Sequence, residues 1–322
     1  MSDWRIYRGD GRPDPNRLAA RPDAPGWRQF DRIAQTRAES FQPPPGVVEA
    51  VNAALYLRRP VLVTGDPGTG KSSLAYAVAH ELDLGRVLKW EINSRSTLTQ
   101  GLYDYDALAR LRDANLRRLQ SPDDQPDLTA PEDIGRYITL GPIGTAFMAG
   151  GRPRVVLIDE IDKSDVDLPN DLLHVFEDGR FEIPELVRLQ DVSSSVSVRT
   201  SDGQPVQVTG GVVRCGEFPV VIITSNGERD LPPAFLRRCL RIDLPRPDIA
   251  MLRAIVARHI DATNEAELTA LLQVFDEKRQ RGEMLATDQL LNAFFLVTRG
   301  RTMSEADREA IEKILLRELD AR

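Results

Sequence analysis

Eight consecutive residues, Gly65-Asp66-Pro67-Gly68-Thr69-Gly70-Lys71-Ser72, fit the pattern G-x-x-x-x-G-K-[ST] at every fixed position. Each residue type has a reason to be there. Glycines let successive backbone N–H groups curl round an anion, and a helix beginning at the loop points its positive end at the same place. A lysine then reaches the β- and γ-phosphate oxygens, and a hydroxyl ligates Mg²⁺. Lys71 and Ser72 occupy those two positions, with Ser73 next to them at the helix start.

Two further polar groups end apolar runs. Val155-Val156-Leu157-Ile158 leads into Asp159-Glu160. Beside a phosphate loop, Asp159 is suited to holding Mg²⁺ through its water shell, and Glu160 to polarising a water for in-line attack on a γ-phosphate. Asp162 and Lys163 are read as solvent-facing, without a catalytic role. The apolar run that starts at Pro219 ends in Thr224-Ser225-Asn226. An amide there can orient the attacking water, although asparagine at a strand end also serves as an ordinary turn residue.

The elements that must position these groups follow from periodicity. VLVTG (61–65) reads as a short strand into the loop, and KSSLAYAVAHEL (71–82) as the helix out of it. Further strands are expected at VLKWEI (87–92), PRVVLID (153–159), PVVIITSN (219–226) and CLRIDLP (239–245), with a hairpin turning at Ser201-Asp202-Gly203. Strands alternating with helices predict a parallel α/β sheet of about five strands flanked by helices. From Pro245 onward four segments have helical period, so a separate all-helical domain is expected at 246–322 after an α/β domain at 46–245. Residues 1–45, rich in Pro, Gly and Arg, read as an extended arm anchored by Trp4, Trp27 and Phe30.

Composition excludes several classes. Lysine and arginine total 42 against 49 acidic residues, a net charge of −7, which counts against coating duplex DNA. Two cysteines, Cys215 and Cys239, are too few for a disulfide framework or a zinc site by themselves and suit a cytoplasmic protein. No apolar run approaches the roughly 18 residues of a membrane span, and the charged, Pro-rich N-terminus does not read as a secretory signal. Only five lysines occur, and two of them, Lys71 and Lys163, fall in the phosphate loop and at the acidic strand end.

Together the three strand ends resemble those of AAA+ ATPases, most closely the MoxR branch, from about Gly46 to the helical C-terminus. The resemblance implies a P-loop NTPase fold with a helical lid, Gly65 to Ser72 as Walker A, Asp159-Glu160 as Walker B and Asn226 as sensor 1. Gly141-Pro142-Ile143 and DLPNDLLHVFEDGRFEIPEL (167–186) are similar to family segments, and the stretches near 93–150 and 181–217 correspond to its inserts. Leu231-Pro232-Pro233-Ala234-Phe235-Leu236-Arg237-Arg238 resembles the segment bearing the trans-acting arginine, with Arg238 at the finger position and Arg237 second. The implied activity is Mg-ATP hydrolysis in a homo-oligomer, a hexameric ring, acting on a protein partner such as a von Willebrand A-domain protein. Two other readings stay open: an ATP-gated scaffold with little hydrolysis, and a nucleic-acid-linked motor. One departure is clear: Asp288 stands where the family carries its sensor-2 arginine, leaving Arg279 or Arg281 as substitutes.

Overall fold

The β-branched runs form the expected parallel sheet. The computed structural model describes residues 4–120, 134–260, 265–299 and 303–317. Its strands in chain order are β1 (Val61–Thr64), β2 (Leu88–Glu91), β3 (Tyr103–Tyr105), β4 (Ile138–Leu140), β5 (Val155–Asp159), β6 (Arg180–Glu182), β7 (Ser195–Arg199), β8 (Pro205–Thr209), β9 (Val212–Arg214), β10 (Val220–Thr224) and β11 (Leu240–Asp243). Five of them make one sheet, ordered β11-β1-β10-β5-β2 and parallel throughout. β10 is buried along its whole length and β5 at every position before Asp159, as strands covered on both faces must be.

This order locates the site. From β1 the chain goes on to β2 at one edge of the sheet, whereas from β10 it goes on to β11 at the other edge. β1 and β10 are neighbours, so their outgoing connections diverge and leave a crevice at the carboxyl ends of the strands. Gly65 follows β1 there, Ser225 follows β10, and Glu160 follows β5 on the far side of β10.

The other six strands form a second sheet, β3-β4-β7-β8-β9-β6. The expected hairpin is present: β7 and β8 pair antiparallel from Ser195↔Thr209 to Arg199↔Pro205. Its partners β3, β4, β6 and β9 are three residues long each, too short to display a period. Phe181, Val196 and Val198 of this sheet share one apolar core with Ile158 and Ile223 of the first. Tyr103 stacks on Phe181 with ring planes 6° apart.

By density of contacts the chain divides into two units. Both sheets belong to the unit made of Pro44–Gly65 and Val78–Asp243. The other comprises Met1–Pro43, Asp66–Ala77 and Leu244–Arg322. Its helices Ile249–His259, Glu265–Gln280, Thr287–Arg299 and Glu305–Leu315 match the helical pattern of the sequence. Two of them begin at side-chain caps, Asp248 accepting from the Met251 N–H and Ser304 from the Asp307 N–H. Their core of Leu252, Val256, Leu268, Leu272, Phe275 and Phe294 receives Trp27 from the N-terminal arm. The Trp27 indole donates to Asn292 Oδ1 at 3.1 Å and meets His259 and Phe295 edge-on. The arm also carries a helix, Ile33–Ser40, that its composition hides. Phe30 is not an anchor: it is 82% exposed, and Trp27 takes that role because its indole N–H finds a partner.

Candidate active site

The loop after β1 has the backbone shape that its glycines permit. Gly65, Gly68 and Gly70 all have positive φ, a curl that lets successive N–H groups face one anion. Lys71 is only 7% exposed, and its ammonium donates to the Asp66 carbonyl at 2.8 Å, back into its own loop. A phosphate oxygen is a stronger partner for that ammonium than a neutral carbonyl, because the bond is then charge-assisted on both sides. Thr69 Oγ1 also donates to the Asp66 carbonyl, at 2.9 Å, and the helix proper starts at Ser73. Gly68 cannot be anything larger. Its φ is +77°, and a Cβ there would lie 2.7 Å from the Ala286 Cβ.

Beside this loop, within the same unit, lies a cleft with apolar walls from Leu252, Phe275, Met284 and Leu285. Asp66, Arg246 and Arg279 are its charged lining residues. Arg279 lies against the Phe275 ring and donates to the Pro247 carbonyl at 2.7 Å, while Arg246 is ion-paired with Asp66. Of the two possible substitutes for sensor 2, Arg279 therefore lines the cleft, whereas Arg281 is exposed. Asp288 is exposed in the first turn of its helix, where a carboxylate suits the helix dipole. Arg246 was not legible as a site residue, since nothing in the sequence ties it to Asp66, 180 positions away.

In the sheet-bearing unit, the ends of β5 and β10 interlock through Thr224, which is fully buried. Its hydroxyl donates to Asp159 Oδ1 at 2.8 Å and accepts the Glu160 N–H at 2.8 Å. Lys89, on β2, holds Asp159 Oδ2 at 3.1 Å. Burial pulls the Lys89 pKa down, but Glu91 and Asp159 outweigh it and leave the ammonium above its usual range, so this partner stays charged. Asp159 is thus gripped on both oxygens.

Glu160 has left-handed backbone angles, φ 64° and ψ 51°, unusual for a residue with a side chain. The kink ends the strand and swings the chain into a short 3₁₀ turn, Ile161–Lys163. Glu160 Oε2 accepts from Lys163 at 2.8 Å, and its Oε1 lies 3.5 Å from the Asn226 amide nitrogen. The hydrogen bond to Glu160 holds the Lys163 ammonium above its usual range. The structure thus gathers Asp159, Glu160 and Asn226 into one cluster.

One expectation is corrected here and its neighbour holds. Asp162 is 3% exposed and not solvent-facing, because the Glu160 kink turns its carboxylate towards the end of β10. Lys163 is exposed, as expected, and pairs with Glu160 from the surface. Arg59, just before β1, donates to the carbonyls of Arg237 and Arg238, just before β11, and anchors that segment. The Arg238 guanidinium is ion-paired with Glu177, and Arg237 is exposed.

A family model described as AAA domain, dynein-related subfamily, matches residues 60–239, more than half of the 322 residues. The chain belongs to that family. The match runs from the residue before β1 to the residue before β11, and takes in the phosphate loop and the ends of β5 and β10. Membership makes the chain an ATPase with the AAA+ P-loop fold. Domain III of the Thermotoga maritima replication initiation protein DnaA is similar in structure, with a TM-score of 0.42 and 16% identity over 88% of this chain and 98% of that one. No curated protein matches the sequence.

Among the described residues no helix is long and apolar enough to cross a membrane. Nor do three or more His, Cys, Asp or Glu side chains gather to hold a metal ion among them. Mg²⁺ in phosphate sites needs no such cage, since it takes one or two protein oxygens and completes its shell with phosphates and water.

Proposed function

We propose that this AAA domain hydrolyses Mg-ATP in a homo-oligomeric, hexameric ring of MoxR-like type and uses the cycle to remodel a protein partner in the cytoplasm. The observation that carries the reading is the cluster at the ends of β5 and β10, where Thr224 holds Asp159 and Glu160 beside Asn226. Residues 46–245 act as the nucleotide-binding domain and 246–322 as a lid. The glycines of the loop, with Asp66, Pro67, Thr69 and Ser73, surround the phosphates, and Lys71 exchanges its bond to the Asp66 carbonyl for their oxygens. Ser72 and Asp159 offer the hard oxygen donors that Mg²⁺ prefers, and the ion offsets phosphate charge when bound. Glu160 accepts the proton of the attacking water, and Asn226 orients that water. A neighbouring subunit supplies an arginine, Arg238 by motif alignment. Arg237, exposed one position earlier, is the alternative.

The partner class, a von Willebrand A-domain protein, rests on the likeness of residues 141–143 and 167–186 to MoxR-type segments. Specific activity measured against protein concentration tests the shared site. A rate per chain that climbs with concentration, and collapses in Arg238→Ala or Arg237→Ala while ATP still binds, supports it. A rate independent of concentration and indifferent to both substitutions overturns it.

A further inference from the structure

Asp162 does something that the proposed chemistry does not yet use. Its carboxylate is buried, and Oδ2 accepts two backbone N–H groups from the segment after β10, those of Asn226 and Glu228, each at 3.0 Å. Between them Gly227, at φ +75°, lets the chain fold so that N–H groups two residues apart converge on one oxygen. The Gly227 N–H is taken by Ser225 Oγ at 3.1 Å, closing the turn. The turn is a small backbone nest, and its anion is a side chain from the β5 exit.

The other oxygen, Oδ1, is buried and meets no protein donor among the described residues. A buried carboxylate with one oxygen unmatched is costly for stability, so packing alone does not explain an aspartate at this position. What the arrangement achieves is a fixed backbone for Asn226, whose amide nitrogen lies beside both Glu160 and Glu228.

We infer that Asp162 is a positioning residue for ATP hydrolysis: through the Asn226 and Glu228 N–H groups it sets the place of the Asn226 amide relative to Glu160. With Thr224 it forms a reciprocal latch. β10 reaches across to hold the backbone of Glu160, and the turn after β5 reaches back to hold the backbone of Asn226. The inference rests on the water-orienting role proposed for Asn226.

The test is a double-mutant cycle with steady-state ATP hydrolysis and ATP affinity as readouts, on the full chain. Asp162→Ala is expected to lower kcat about 10-fold or more, since misplacing a catalytic group by about 1 Å costs on the order of 10²-fold. ATP affinity should stay within about 3-fold. Asn226→Ala should be slow as well, and the double variant no slower than Asn226→Ala alone, because a residue acting through another adds nothing once that residue is gone. Asp162→Asn keeps an oxygen for both N–H groups and should recover most of the rate. If Asp162→Ala does not fold, Asp162→Ser carries the same comparison.

Wild-type kcat in Asp162→Ala beside a slow Asn226→Ala overturns the inference. So does a double variant whose loss is the product of the two single losses, the mark of a general structural defect. Wild-type kcat in Asn226→Ala refutes the role of Asn226 itself and removes this inference with it, an outcome distinct from the other two.

Discussion

Replacing Thr224 by valine changes the shape of the side chain hardly at all and removes one hydroxyl. That hydroxyl serves two partners at 2.8 Å each, donating to the Asp159 carboxylate and accepting the Glu160 N–H, at a site with no solvent exposure. The bond to a charged group is worth about 1.5–3 kcal/mol, and a backbone N–H left unsatisfied costs about 1–3 kcal/mol. Allowing for the easier burial of valine, the variant should be about 2–4 kcal/mol less stable. Hydrolysis should fall further than stability suggests. Asp159 loses the hydroxyl on Oδ1 while Lys89 still holds Oδ2, Glu160 loses the anchor of its left-handed backbone, and a shift of about 1 Å costs on the order of 10²-fold in rate. Thr224→Ser is the control, since it retains the hydroxyl and gives up one methyl group, about 1 kcal/mol. Urea unfolding midpoints and kcat for ATP, measured on both variants, decide the matter. The reasoning is refuted if Thr224→Val matches the wild type in both, or if Thr224→Ser falls as far as Thr224→Val, since packing of the methyl would then be the cause.

Three other outcomes are expected. Gly68→Ala places a Cβ 2.7 Å from that of Ala286 at a positive φ that alone costs about 1–2 kcal/mol, so ATP affinity should drop at least about 10-fold in a titration with a fluorescent ATP analogue. His259 is held below its ordinary value of 6.5 by burial beside Trp27, so the fold favours the neutral ring and the unfolded chain binds the extra proton. Stability from this group is complete above pH 6.5 and drains away as pH falls towards the lower folded value. The melting temperature should therefore drop between pH 7.5 and 5.5, and His259→Phe should flatten that slope. Burial pushes the Cys239 thiol up to about 12, and burial with help from Glu217 raises Cys215, so native protein should leave Cys239 unreactive and Cys215 slow toward Ellman's reagent at pH 8, while urea releases both.

The parts of this molecule legible from sequence are those whose signal is local. β5 and β10 stand out as unbroken apolar runs because both of their faces are covered, and the C-terminal helices because an apolar stripe repeats every turn. The phosphate loop is readable because its chemistry needs particular residues at fixed spacing. The second sheet was largely hidden, as three-residue strands have no period to detect and are held by partners elsewhere in the chain. Asp162 looked like one more polar residue in a charged stretch; its burial depends on the left-handed kink at Glu160 and on N–H groups over 60 positions later. Thr224 lies in a polar strand end that sequence reading does single out, yet its double bond to Asp159 and Glu160 needs β5 and β10 to be neighbours in register. Lys89 and Arg246 were missed for the same reason, each paired with a carboxylate distant in sequence.

We propose that the carboxylates at the end of β5 drive ATP hydrolysis. Turnover and ATP binding in Glu160→Gln test it most directly, because the substitution keeps the shape of the side chain and removes its ability to accept the proton of the attacking water. Binding should be retained and kcat should fall by about 10²-fold or more, the contribution of a positioned general base. Hydrolysis at the wild-type rate in Glu160→Gln would contradict the claim and place the chemistry elsewhere.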